Sequence, residues 1–353
     1  KFFISLNYLD KSFFLIISNE YMNKQQISFS TEVQDSQIKN VLEKNYLTII
    51  TEYFELQRGW IYRAYTAFND IDKYFILISL VNRTFSAYKE YFIKMSYDDF
   101  HAQKQYEIKK FNIVDISRQL HISKETARRK ILELEKMGIL RKEKKNIFIQ
   151  RGTYEIQKPT TSIIAISRFM SSLSKKLKLS GVVKNQISSL EFEKLIKENY
   201  SVCWNIFLDF QIEYFSEVKT KFFKDLESFA VMGNIIYNQN LHLNQKIKGM
   251  KNHEDFMENT NINLVDQLTA LTGTFGLNAM TISDLTGIPR PTVIRKLNRL
   301  EKEQFISKDS NGRYKMIASQ KTKELDQWRI ANISRISTMI GKIFNAARYL
   351  NYY

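Results

Sequence analysis

The sequence predicts a mainly α fold in which one order of parts is used twice: aromatic-rich helices, a compact basic motif and a closing helix. Three observations lead there. Three prolines and eleven glycines in 353 residues are few, and Leu, Ile, Lys, Glu and Phe dominate, so long helices should outnumber strands and turns. The chain repeats itself at two fixed offsets. Within each repeat, apolar residues recur at helical spacing and then give way to a short alternating hairpin.

The first offset is 154 residues. Leu42-Glu43-Lys44-Asn45-Tyr46 returns as Ile196-Lys197-Glu198-Asn199-Tyr200, and Trp60, Phe68 and Phe75 meet Tyr214, Phe222 and Phe229, while Asn82 falls on Ile236. The second offset is 166. It brings Ile116-Ser117 onto Ile282-Ser283, Ile122 onto Ile288, Thr126 onto Thr292, Arg129-Lys130 onto Arg295-Lys296 and Leu134-Glu135-Lys136 onto Leu300-Glu301-Lys302. The change of offset implies about a dozen extra residues, expected as a loop within 241–263, where an insertion costs little. Two copies of this length read as a duplicated domain, since solenoid units are shorter and come in threes or more.

The expected plan is an N-terminal leader or helix over 1–35, a first repeat over 36–180 and a second over 181–353. In the first repeat the helices span about 36–100, the compact motif about 104–151 and the closing helix 160–178, after a break at Lys158-Pro159. The second has helices over about 186–245, a motif over about 258–317 and a closing helix over 319–351, with Ser180-Gly181 as linker. The leader KFFISLNYLDKSFFLIIS is apolar. Asp10 and Lys11 interrupt it, no small-residue cleavage pattern follows, and neither side reaches the ~18 apolar residues of a spanning helix, so no stable membrane insertion is expected.

In the first motif Ile116, Leu120 and Ile122 give a short helix ending in a turn, and Ser123 stands as N-cap of a second helix. On that helix Ala127, Ile131 and Leu134 form one apolar face, and Lys124, Glu125, Arg128 and Arg129 occupy the opposite surface. Gly138 stops the helix. Ile139-Leu140 and Ile147-Phe148-Ile149 then read as two strands around the charged tip Arg141-Lys142-Glu143-Lys144-Lys145-Asn146. A short helix, a tight turn, an exposed basic helix and a basic hairpin together make a winged helix-turn-helix, in which the second helix enters a major groove and the wing meets phosphate or the minor groove. Residues 111–151 carry eleven basic and five acidic side chains, a net +6.

The second motif keeps this plan. Gly287 makes the turn, Pro289 replaces the serine cap, Arg290-Pro291-Thr292 opens the helix and Val293, Leu297 and Leu300 form its apolar face. Its wing is Lys308-Asp309-Ser310-Asn311-Gly312-Arg313, where Asn-Gly suits a tight turn with Arg313 beside the tip. Residues 280–317 carry eight basic and four acidic side chains, a net +4.

These residues resemble the winged helix-turn-helix of bacterial transcription regulators, and the second motif resembles the MarR family of multiple-antibiotic-resistance regulators. The likeness rests on Ile282-Ser283-Asp284-Leu285-Thr286-Gly287-Ile288, Pro291-Thr292-Val293-Ile294-Arg295-Lys296-Leu297, Leu300-Glu301 and the wing Asp309 to Arg313, about forty residues per copy. The family carries one motif per chain, the first wing here lacks the Asp-and-Arg tip, and Gly138 becomes Gln304 in the second copy. The resemblance implies a sequence-specific regulator of double-stranded DNA that pairs two reading heads, as a monomeric pseudo-dimer or a homodimer, and a small aromatic effector held between the copies. It also implies groove or phosphate contacts at Ser123, Lys124, Thr126, Arg128, Arg129, Lys142, Lys144 and Lys145 in the first copy. In the second these are Arg290, Thr292, Arg295, Lys296, Lys308 and Arg313. Arg128 falls on Ile294, so the two heads should not be equivalent and an asymmetric operator is expected.

The remaining composition narrows the classes. A formal net charge of +16 and a pI near 9.5 favour a polyanionic partner. Cys203 in Ser201-Val202-Cys203-Trp204-Asn205-Ile206-Phe207 reads as a core thiol, and the single cysteine suits a reducing, cytoplasmic setting. The aromatic positions Tyr53, Phe54, Trp60, Tyr65, Phe68, Tyr74 and Phe75, with Phe207, Phe210, Tyr214, Phe215, Phe222 and Phe223, read as core or inter-copy packing. His101, His121, His242 and His253 are scattered, and no GxxxxGK, GxSxG or HExxH occurs, so neither a metal, a cofactor nor an enzymatic activity is expected. Two other readings remain: a plasmid-type replication initiator, which also joins two winged helices in one chain, and a winged-helix protein-interaction scaffold.

Overall fold

The computed structural model describes residues 33–108, 112–144, 146–150, 152, 158–249, 264–273 and 275–349. Almost all of the expected leader, the wing residue Lys145 and residues 250–263 of the expected insertion lie outside the described residues. The fold is mainly helical, with a few short antiparallel strands.

A first series of elements comprises α1 (Asp35–Lys44), α2 (Tyr46–Phe68), α3 (Ile71–Glu90), the short α4 (Tyr97–Ala102), β1 (Gln105–Ile108), α5 (Ile113–Gln119), α6 (Lys124–Lys136), β2 (Leu140–Glu143), β3 (Asn146–Gln150) and α7 (Thr160–Leu179). A second follows with α8 (Ser189–Glu198), α9 (Tyr200–Val218), α10 (Leu226–Lys248), α11 (Leu264–Thr272), α12 (Ala279–Thr286), α13 (Arg290–Lys302), β4 (Ile306–Lys308), β5 (Tyr314–Met316) and α14 (Gln320–Tyr349). The starts of α1 and α8, and of α2 and α9, lie 154 residues apart; those of α5 and α12, and of α6 and α13, lie 166 apart.

Local chemistry sets these boundaries. Asp70 starts α3 by accepting hydrogen bonds from the N–H groups of Asp72 and Lys73, and Asp225 starts α10 by accepting from Ser228. Ser188 and Glu191 cap α8 reciprocally, side chain to backbone in both directions. The bond that an acidic cap makes to free N–H groups is also favoured by the helix dipole.

Packing comes in matched pairs. α1 lies along α14 and α8 along α7; α2 packs on α10 and α9 on α3; α2 meets α7 and α9 meets α14. Aromatic rings fill the space where these helices cross. Trp60 stacks on Phe215 at 5.4 Å and 16°, with Tyr74, Phe75 and Phe207 edge-on around it. Such ring pairs add roughly 0.5–1.5 kcal/mol each beyond the area they bury. Within this apolar centre, Gln57 on α2 and Gln211 on α9 are buried and exchange two hydrogen bonds, each amide nitrogen donating to the other's oxygen at 2.8 and 3.0 Å.

Two expectations need correction. The first hairpin has a third strand: β1 pairs with β3 to give the antiparallel order β1-β3-β2, whereas the second hairpin has only a single bridge, Leu277 to Tyr314, in that place. Tyr106 and Ile108 are buried on β1, but a four-residue strand carries too little alternation to stand out in sequence. The insertion expected from residue 241 does not begin as a loop, because α10 runs on to Lys248. Met232, Ile235, Gln239, Leu243 and Ile247 recur every three or four residues on its buried face and keep the helix register going.

The two series also share left-handed turn positions but fill them differently. His121 (φ 49°) ends the first turn where Gly287 (φ 71°) ends the second, and Gly138 (φ 71°) follows α6 where Gln304 (φ 62°) follows α13. Gly287 has a second constraint, because a Cβ there would sit 2.9 Å from Thr66 Cγ2 on α2.

Two stability outcomes follow. In urea unfolding, Gln57→Leu and Gln211→Leu should each cost about 1–3 kcal/mol by orphaning the partner amide, and the double variant should cost clearly less than their sum. Additive losses would show that the two amides do not depend on each other. Gln304→Gly should stabilise by roughly 1 kcal/mol, since it removes a Cβ from a left-handed backbone; a lower unfolding midpoint would contradict this.

Candidate nucleic-acid interface

Each basic motif is a pair of helices set by the same two devices, a cap at the start of the first helix and a bond across the turn. Asn112 caps α5 and Asn278 caps α12. The Ser117 hydroxyl then donates to the Ile122 carbonyl at 2.6 Å, and the Ser283 hydroxyl donates to the Ile288 carbonyl at 2.7 Å. These bonds close the turns and set the angle at which α6 and α13 leave them. Ser123 caps α6 by accepting from the Thr126 N–H at 3.0 Å, while Pro289 precedes α13 without a side-chain bond. Ala127, Ile131 and Leu134 bury one face of α6, and Val293, Leu297 and Leu300 bury the matching face of α13.

A lysine anchors each second helix to the bundle. Lys130 pairs with Asp70, the cap of α3, and reaches Asp72 at 3.8 Å; Lys296 pairs with Asp225, the cap of α10, at 2.8 Å and with Glu227 at 3.5 Å. Both ammonium-bearing side chains are largely shielded, 9% and 12% exposed. Burial works against the Asp225 carboxylate, but the Lys296 ammonium and the Ser228 N–H outweigh it and hold the group below its ordinary range. Burial pushes Glu227 the other way, above its ordinary range, and the neighbouring Asp225 adds to that.

Lys296 is therefore not part of an outward basic surface, contrary to its expected role. Its position already said so: it lies three residues after Val293 and four before Leu300, on the buried face. Lys130 bears the same relation to Ala127 and Leu134.

The other expected residues are on or near the outer surface. Lys124, Arg128 and Arg129 on α6, and Arg290 and Arg295 on α13, are exposed; Thr126 and Thr292 are half-buried at the helix starts. Ser123 is exposed, but its hydroxyl is engaged with Thr126, accepting from the N–H and donating to the side-chain oxygen at 2.8 Å. Arg128 is held by Glu125 through two bonds, Nε to Oε2 at 3.0 Å and Nη2 to Oε1 at 2.7 Å. Arg129 is 65% exposed and only loosely approached by Glu133 at 4.0 Å. Spacing along the same faces adds two residues not singled out in the sequence, Leu132 and Asn298, both exposed.

The hairpins are tied to these helices by equivalent bonds. The Lys142 N–H donates to Glu135 at 3.2 Å and the Lys308 N–H donates to Glu301 at 3.1 Å. Lys142 and Lys144 are exposed, with Lys144 at φ 54° in the turn. Arg141 joins them, paired with Glu143 and donating to Gln105 at 2.8 Å. In the second hairpin Asp309 accepts from the N–H groups of Asn311 and Arg313, Gly312 takes φ 74°, and Lys308 and Arg313 are exposed. Lys308 Nζ also lies 5.6 Å from the Tyr314 ring centre.

Away from this surface, a cavity of about 80 Å³ lies between α2, α9, α10, α11 and α14. Tyr46, Tyr53, Tyr214, Phe229 and Trp328 are among its walls, together with Asn240, whose buried amide makes no hydrogen bond. The lining is largely apolar, with Asn240, Asn332, Asp326 and Arg329 among its polar members. Cys203 is buried, and burial pushes its thiol up to about 12, which keeps it protonated. Among the described residues no group of His, Cys, Asp and Glu is placed to hold a metal ion, and no helix is long and apolar enough to cross a membrane. No family model, curated protein or solved structure matches the chain significantly.

The anchor and the outer arginine should separate in stability measurements. Lys296→Met should cost about 1–3 kcal/mol, because Glu227 loses its paired cation and Asp225 keeps only Arg299, 2.8 Å away. Arg295→Ala, one residue earlier, should change unfolding free energy by less than ~0.5 kcal/mol. Equal effects in chemical denaturation would contradict the inward and outward assignments.

Proposed function

We propose that the chain is a sequence-specific, cytoplasmic transcription regulator that binds double-stranded DNA through two winged-helix units, produced by duplication and fused as a pseudo-dimer. The observation that carries the reading is the matched placement of Arg129 and Arg295. Each stands on the outer face of the second helix of a helix-turn-helix pair, next to a lysine that is turned inward and anchors the helix to the bundle. The same charge is thus kept inside at one position and outside at the next, in both halves.

In this reading α6 and α13 enter successive major grooves about 34 Å apart. Arg128, Arg129, Arg290 and Arg295 meet base edges or phosphates, while Lys124 and the exposed wing residues Lys142, Lys144, Lys308 and Arg313 neutralise backbone charge. The turn bonds of Ser117 and Ser283 and the anchors at Lys130 and Lys296 fix both helices before DNA arrives, so little ordering is lost on binding.

Fluorescence anisotropy with mixed-sequence genomic duplexes tests this. Binding should weaken linearly in log–log form with added salt, by a slope of about 0.9 for each phosphate neutralised. Arg129→Ala and Arg295→Ala should each weaken binding to a selected site by roughly 10-fold or more. Absence of salt-dependent binding sinks the proposal. Unchanged affinity after both substitutions would favour a protein-interaction scaffold, and a footprint over direct repeats at an origin would favour a replication initiator.

A further inference from the structure

Two large aliphatic side chains stand in solvent on helices whose other large aliphatic residues are turned inward: Leu132 on α6 is 41% exposed and Ile294 on α13 is 37% exposed. They do not occupy equivalent positions. At the 166-residue offset Leu132 corresponds to Asn298, and Ile294 corresponds to Arg128. On each helix these two positions are four residues apart and share the outward stripe. Along that stripe α6 offers an arginine and then a leucine, whereas α13 offers an isoleucine and then an asparagine. The order of polar and apolar groups is reversed.

Arg129 and Arg295, beside this stripe, are the same residue in both helices. The contrast is sharpened one turn earlier. Glu125 grips the Arg128 guanidinium through both carboxylate oxygens, at 2.7 and 3.0 Å, and its counterpart on α13 is Pro291, which can grip nothing. This exposed i,i+3 pair favours one orientation of the Arg128 fork and sets beside it a carboxylate that can accept from an amino group. The two matching positions on α13, Pro291 and Ile294, are both apolar.

Base edges distinguish these groups. A guanidinium fork matches O6 and N7 of guanine, and a carboxylate beside it can accept from N4 of cytosine. An asparagine amide matches N6 and N7 of adenine. An aliphatic side chain has no hydrogen bond to give and gains only from the thymine methyl group. Resting on the DNA-binding reading above, we infer that the two heads read unequal half-sites that share one position and differ on either side of it. The α6 half-site carries guanine at Arg128 and thymine at Leu132; the α13 half-site carries thymine at Ile294 and adenine at Asn298. Arg129 and Arg295 supply the shared contact. The exposed leucine and isoleucine are reading groups, and the preferred site is not a perfect palindrome.

Selection of the full chain against duplexes with a randomised core, followed by sequencing of the bound pool, tests this. The unmodified chain should enrich an asymmetric site with the two half-sites above. The double variant Ile294→Arg with Asn298→Leu should convert the second half-site to the first, so that the enriched site becomes palindromic. In direct titration that variant should prefer the converted site over the original by about tenfold or more. All four positions are exposed, and an unchanged thermal midpoint would show that the variant is folded. A palindromic site for the unmodified chain, or a site that does not move in the double variant while binding persists, overturns the inference and leaves the DNA-binding reading standing. No enriched duplex for either protein, together with no salt-dependent binding, overturns that reading itself.

Discussion

The amides of Gln57 and Gln211 define the centre on which the arrangement depends. They lie 154 residues apart, the spacing that separates α1 from α8 and α2 from α9, and they bond to each other in both directions. Two positions related by a repeat can meet each other only where a local two-fold axis passes. On the proposed duplication, that axis runs between these side chains. A glutamine amide is well suited to the place because one donor and one acceptor on each side satisfy the other, whereas two donors or two acceptors would clash. Both amides are buried, and Gln57 Nε2 also donates to the Tyr53 hydroxyl at 2.7 Å, so the pairing is shielded from water and costly to break.

From that centre the packing extends outward in an exchanged fashion. α1 lies on α14 and α8 on α7, so the outer helix of each half is completed by the closing helix of the other. The same holds beneath the basic motifs, where α12 rests on α2 and α5 on α9. Gly287 permits the first of these contacts by leaving room for Thr66. Neither half presents its basic motif without support from the other, so the placement of the two motifs is a property of the whole bundle.

The two halves keep their supports and vary their outer surfaces. Turn serines, asparagine caps, anchoring lysines and the glutamates that hold the hairpins occur in both. The outward stripe and the hairpin tips differ, as do the left-handed positions, where glycine occupies one place in the first half and the other in the second. This division separates what orients a helix from what meets a partner.

The sequence by itself determined the helical class, the two offsets, the turn and cap positions and the apolar faces of α6 and α13. These follow from spacing and from local backbone hydrogen bonding, which need only near neighbours in the chain. It also held the inward direction of Lys296, through its spacing from Val293 and Leu300, although the charge of the side chain drew attention to the surface. The third strand β1 and the continuation of α10 to Lys248 were not legible, since one depends on pairing with β3 and the other on burial against neighbouring helices. Only the tertiary structure decided that Lys130 and Lys296 find carboxylates at the starts of α3 and α10, and that Gln57 meets Gln211. The long-range contacts among these join residues 60 to 154 positions apart, and no local periodicity encodes which distant carboxylate or amide will face a given side chain.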